Sequence, residues 1–253
     1  MTWRSLIALL PAVFAASFAL AQVGDKRRSG YQDMGAALQK MQDDDTANPG
    51  MLFVQLGQQL WSKPTGAANK ACADCHAVAD MKGVAVRYPA MSKDKPLDLE
   101  GRIRLCRTSH QQGEPFAADS RDLLALTAFV ARQSRGLPIA PPDDPRLAPF
   151  RDQGEEIYRR RQGQLNLSCA ICHDDNAGKK LAGVTIPEAH PTGYPIYRLE
   201  WQSLGSLKRR LRNCLIGIRA EPYPLNAAEY VALEIFLMDR ARGMSFEAPA
   251  VRP

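Results

Sequence analysis

Residues 72–76 read CADCH and residues 169–173 read CAICH. On a helical turn, positions i, i+3 and i+4 share a face. Two cysteines so placed can reach the two vinyl groups of one porphyrin while the adjoining histidine points at the iron. Cys-x-x-Cys-His is for this reason the attachment pattern of c-type haem. Cys72 and Cys75 would hold one haem with His76 as iron ligand, and Cys169, Cys172 and His173 a second. The rival readings are a redox dithiol and a zinc site. A dithiol needs no neighbouring histidine, and a zinc site shared by all four cysteines leaves both histidines unexplained.

The likeness extends beyond the motifs. FVQLGQQLWSK (53–63) precedes the first and FRDQGEEIYRRRQG (150–163) the second. Both are amphipathic, and in both a glycine precedes an aromatic by four positions: Gly57 and Trp61, Gly154 and Tyr158. After the motifs, CRTSHQQGEPFAADSRDLLALTAFVARQSRG (106–136) parallels CLIGIRAEPYPLNAAEYVALEIFLMDRARG (214–243). A cysteine, Glu-Pro-aromatic, an apolar helix and Arg-Gly recur in order. Leu123, Leu126, Thr127 and Val130 follow helical spacing, Asn226 and Glu229 resemble a capping box, and Gly136 and Gly243 suit helix ends. This is an internal duplication. It predicts a mainly α protein of two tandem cytochrome c-like haem domains, over 46–138 and 147–253. A Pro- and Asp-rich linker joins them at 139–146, and an N-terminal extension at 22–45 carries one helix.

Ahead of these, Arg4 and the apolar run LIALLPAVFAASFAL lead into Ala19-Leu20-Ala21. That is the layout of a secretory signal peptide over 1–21, cleaved after Ala21, which places the mature protein in the periplasm. A membrane anchor is the rival, but the run is short and holds Pro11. The full chain carries a net charge of +6, and cleavage removes one arginine. A mild basic excess suits anionic partners. No basic tract interleaved with aromatics points to nucleic acid.

Each iron needs a distal ligand unless its site is open. Met81, Met91, Met238, Met244, His110 and His190 are available, but none recurs at one position of both copies. Cys106 and Cys214 do recur, between the haem motif and the last helix. They are the natural distal ligands; a disulfide joining them is the alternative. Thiolate ligation favours ferric iron, which suits a poor electron carrier. Around Cys214 the chain reads SLKRRLRNCLIGIRAEP. A helix begun by Ser206 would put Arg210 on the face of Cys214, one turn earlier. Guanidinium beside a cysteine stabilises thiolate and can hold an oxyanion in a bidentate grip. Lys208, Arg209 and Arg212 read as a solvated basic face or a surface for an acidic partner.

With two haem motifs, paired distal cysteines and the stretch RLRNCLIGIRAEPY, the chain resembles the SoxA family of sulfur-oxidation cytochromes, in its two-haem form. The resemblance covers nearly the whole mature chain. It implies a SoxX-like monohaem partner, and an enzyme, an L-cysteine S-thiosulfotransferase, that joins thiosulfate oxidatively to a cysteine of a SoxY-like carrier. It implies Cys214 as the active residue, Arg210 as the substrate-binding residue, His76 and Cys106 as ligands of the first haem, and His173 and Cys214 of the second. A plain dihaem electron carrier and a thiosulfate dehydrogenase forming tetrathionate are the alternatives.

Overall fold

A computed structural model describes residues 25–253. The signal peptide expected over 1–21 lies outside the described residues. Among the described residues, eight α-helices span Ala36–Asp43 (α1), Gly50–Trp61 (α2), Leu99–Ser109 (α3), Arg121–Arg132 (α4), Ala148–Arg159 (α5), Cys169–His173 (α6), Leu207–Gly217 (α7) and Ala228–Arg240 (α8). Among the described residues no helix is long and apolar enough to cross a membrane.

The duplication is built into the packing. α2 crosses α4 in the first half, and α5 crosses α8 in the second. Both crossings need a glycine. A Cβ on Gly57 would lie 2.1 Å from the carbonyl oxygen of Ala125, and one on Gly154 would lie 2.1 Å from that of Ala232. No side chain fits at that distance, so glycine lets the backbones approach. The aromatic one turn later then reaches across the same seam: Trp61 meets Phe129 with ring centroids 5.5 Å apart, and Tyr158 meets Phe236 at 5.2 Å. The Gly–aromatic spacing seen in the sequence is therefore one device for close helix crossing, used twice.

The two halves do not hang from a loose linker. Ile139 is buried, its amide donates to the Met244 carbonyl, and the Gly243 amide donates back to Ile139. Met238 and Met244 fill the core here, with Ala131 and Phe246 beside them.

Small sheets complete the fold. Ala90–Ser92 (β1) pairs with Lys95–Leu97 (β2), and Lys180–Leu181 (β3) with Val184–Thr185 (β4), both antiparallel. A third sheet has Ile196–Arg198 (β5) between Ser203–Gly205 (β6), antiparallel, and Ala250–Arg252 (β7), parallel. The tail FEAPAVRP looks disordered by composition. It is instead a buried strand segment, with Ala248, Ala250 and Val251 fully enclosed. Side chains alternate along a strand, and β5 uses both faces. Tyr197 packs toward the first-half core, 6.3 Å from Phe53, while Ile196 and Arg198 line a cleft in the second half. Leu204 of β6 is wholly buried in the first-half core. The sheet thus sutures the halves together.

Ion pairs do the same at the start of α7. Lys208 was expected on a solvated face, but it is buried and pairs with Asp98, the residue whose side chain caps α3. Arg209 grips Asp119 at 2.5 Å, and Asp119 also accepts from the Ser206 amide at 2.9 Å. Only Arg212 of the three basic residues is exposed as expected. The expected Asn226–Glu229 cap is also absent: α8 is capped at Ala227 without a side-chain bond.

Candidate active site

Both haem motifs fold as helical turns. Around the first, the amides of Cys75 and His76 both donate to the Cys72 carbonyl in a 3-10 turn. The second forms α6, whose N-terminus is capped by Ser168 Oγ accepting from the Ile171 amide at 3.2 Å. Each triad is therefore on one face, as the spacing predicts.

In the second half, α6 faces α7 across an apolar cavity of about 460 Å³. Cys169, Cys172 and His173 line one side. Arg210, Leu211 and Cys214 line the other. Leu165, Leu181 and Ile218 contribute to the apolar rim. His173 Nδ1 lies 2.7 Å from the Pro187 carbonyl. A carbonyl only accepts, so Nδ1 carries the proton and Nε2 keeps its lone pair, the form that ligates a metal. Cys214 lines the same cavity as His173.

α7 aims Cys214 by local rules. Ser206 caps the helix, its Oγ accepting from the Arg209 amide at 3.0 Å. The i, i+4 spacing then stacks Arg210 and Cys214 on one face. Burial of Cys214 works against ionisation. The neighbouring His173 and the charges of Arg210 and Arg198 outweigh it, so its thiol is held below the ordinary range. Arg210 forms no side-chain hydrogen bond or ion pair among the described residues, so its guanidinium is uncommitted. An adjoining cleft of about 180 Å³ shares His173, Arg210 and Cys214 with this cavity and is lined as well by Tyr194, Arg198, His190 and Arg252. Arg198 is committed to Glu200 at 2.9 Å and stacks on Trp201. The sequence reading missed Arg198 and Tyr194 at this cleft. Alternation along β5 would have found Arg198, had the strand been recognised.

The first half is built more loosely. Trp61 packs beside His76 with ring centroids 6.1 Å apart. Cys106 on α3 lies near enough to Cys72 and Cys75 for their thiols to interact. Burial pushes the Cys106 thiol up despite Arg102, the reverse of Cys214. His76 forms no side-chain hydrogen bond among the described residues, whereas His173 is anchored. The two distal cysteines thus stand beside different haem motifs rather than beside each other, which favours two ligands over one disulfide. Met91 lies in β1, and His110 is an exposed residue ending α3.

Both sites suit haem. Each joins a Cys-x-x-Cys-His face to a distal cysteine. Each also holds an orphaned buried donor, Trp61 Nε1 in the first and Gln162 Nε2 in the second. A buried donor without a partner costs about 1–3 kcal/mol, which a carboxylate-bearing ligand such as haem would relieve.

Comparison with known proteins places the chain among cytochromes c. A family model described as the SoxA/TsdA cytochrome c domain matches twice, over residues 56–139 and 153–246. The chain is 36% identical over 233 residues to the L-cysteine S-thiosulfotransferase subunit SoxA of Pseudaminobacter salicylatoxidans, covering 90% of this chain and 82% of that one. It is 35% identical to the subunit of the same name from Rhodovulum sulfidophilum, covering 92% and 83%. Among solved structures, a chain of SoxXA from P. pantotrophus superposes with a TM-score of 0.87 at 30% identity, covering 90% of this chain and 87% of that one.

Proposed function

The chain belongs to the SoxA family of cytochromes c, and we propose that it joins thiosulfate to a carrier-protein cysteine in the periplasm, as an L-cysteine S-thiosulfotransferase subunit working with a SoxX-like cytochrome. The observation that carries this reading is the pairing of Cys214 with an uncommitted Arg210 at the floor of an accessible cleft. A cytochrome serving only to pass electrons has no need of a free guanidinium beside a buried cysteine.

Cys72 and Cys75, with His76 and Cys106 as axial ligands, would hold one haem c. Cys169 and Cys172, with His173 and Cys214, would hold another. Each bound haem would supply a one-electron acceptor, so that two would match the two electrons the conjugation releases. Arg210 receives the sulfonate end of thiosulfate through charge-assisted hydrogen bonds, which directs the outer sulfur toward Cys214. Arg198 adds positive potential but keeps its own partner, Glu200. The basic cleft draws in a dianion, and its buried walls strengthen the attraction. The Cys214 sulfur then carries the thiosulfate group until the carrier thiolate takes it by sulfur exchange. The ion pairs of Lys208 and Arg209 hold the base of α7, so the first half positions the reacting residue of the second.

The test is product analysis with the purified haem-loaded complex, thiosulfate and a carrier bearing one cysteine. The reading expects the carrier to gain the mass of one thiosulfate group. Tetrathionate with an unmodified carrier would assign the protein to thiosulfate dehydrogenation instead.

A further inference from the structure

Conjugation of a carrier thiol to thiosulfate releases a proton as well as two electrons. The carrier S–H bond breaks, a bond forms between the carrier sulfur and the outer sulfur of thiosulfate, two electrons leave, which two one-electron acceptors such as two ferric haems would take, and one proton remains. A free cysteine has a pKa near 8.5, so only a few per cent is thiolate at neutral pH. A base at the cleft would raise that fraction where it matters. Neither Arg210 nor Cys214 is free to serve: the first stays protonated, and the second carries the sulfur.

We propose that His190 is the proton acceptor of this site, taking the proton of the incoming carrier thiol on Nε2 and releasing it to water. The inference rests on the reading of the cleft given above.

His190 lines the same cleft as Cys214 and Arg210. Its side chain is only 4% exposed. Its Nδ1 lies 2.8 Å from the Arg28 carbonyl, an acceptor, so Nδ1 carries the proton. In the neutral ring Nε2 is then the lone-pair nitrogen. Nε2 forms no hydrogen bond within the described residues, nor is it among the fully enclosed unpartnered atoms. The ring is thus fixed in the tautomer of a base, with its basic atom unclaimed.

The charges around it suit this use. Glu188 on its own loop lies 3.7 Å from Nδ1 and would steady the imidazolium once formed. Glu188 is itself held by the Arg28 amide at 2.9 Å. Asp25 and Arg27 lie near the ring from the N-terminal segment, Arg240 from α8, His173 from the end of α6 and Asp174 from just beyond it. Burial, helped by Arg240 and Arg27, lowers the affinity of the ring for a proton, although Arg28 and Glu188 work the other way. It therefore rests neutral and ready at pH 7. His190 also lines an open surface depression of about 370 Å³ with Arg27, Asp174, Glu188 and Arg240. The proton taken on Nε2 leaves from that same atom to water, since Nδ1 stays bonded to the Arg28 carbonyl.

The test compares the parent complex with His190→Asn, haem-loaded in both cases, in the rate of carrier conjugation from about pH 5.5 to 9. Asn retains a donor for the Arg28 carbonyl but cannot accept the proton. The parent rate should decline only below the ordinary imidazole range. The variant should be slower by roughly 10²-fold near neutral pH, climb steadily as the carrier thiol ionises, and approach the parent at the alkaline end. His190→Gln, which keeps an amide near the Nε2 position, should behave alike. An unchanged profile in both variants overturns the proposal, as does an equal loss at every pH, which marks a structural role. If the parent forms no conjugate at all, the reading of the cleft fails, and the base assignment with it.

Discussion

Cys214 and His173 line a single cavity, from two helices whose N-termini are each fixed by a serine cap, Ser206 and Ser168. The Pro187 carbonyl orients the histidine, and Arg210 shares the cysteine's face of α7. The arrangement fits one haem iron between two axial ligands. Both of those ligands also line a basic cleft.

Arg210→Ala removes the only uncommitted guanidinium among the arginines of the cleft. Charge-assisted hydrogen bonds are worth about 1.5–3 kcal/mol each. The expected result is a fall in kcat/KM for thiosulfate of roughly 10–100-fold, dominated by KM. Arg210→Lys should recover part of it, since lysine restores charge without the bidentate fork. Steady-state kinetics over a range of thiosulfate concentrations checks both.

The helix crossings depend on Gly57 and Gly154. Gly154→Ala places a methyl 2.1 Å from the Ala232 carbonyl, so α5 and α8 must separate. The expected destabilisation is about 1–3 kcal/mol. Gly35→Ala, where nothing lies within 4 Å, is the control and should be near neutral. Thermal melts of the two variants decide it.

Stability should weaken with rising pH through a buried carboxyl cluster. Burial and neighbouring Asp98 push Glu100 up to about 8, against the ion pair with Lys208. Glu234, facing the same group of charges, is pushed up likewise. A raised carboxyl favours the folded state while protonated. That contribution is complete below the ordinary glutamate range and is lost as pH rises through about 8. Glu100→Gln should therefore melt higher than the parent near pH 8.5 by about 3 °C or more and show a flatter dependence on pH. Melting curves from pH 5 to about 9 test it.

Much of this was legible in the chain. The duplicated motif, the Gly–aromatic pairs and the Ser206-capped helix each rest on contacts a few residues apart. Such contacts leave periodic traces in sequence. Lys208 was not legible. Its partner Asp98 lies in the other half, and a helix face that meets another domain has the same spacing as one that meets water. The β5–β7 sheet was hidden for a related reason. Its strands are three residues long, and β7 follows Pro249, so composition alone suggests a loose tail. In the sequence His190 reads only as an available iron ligand, because its tautomer depends on the Arg28 carbonyl, far away in the chain.

The central claim is that Cys214 carries the sulfur that reaches the carrier. Its most direct test is conjugation by Cys214→Ala, purified with both haems attached and with an unchanged melting temperature. The account predicts that no thiosulfate is joined to the carrier, while electron exchange with the partner cytochrome persists through the first haem. Conjugation at the parent rate in that variant would contradict it.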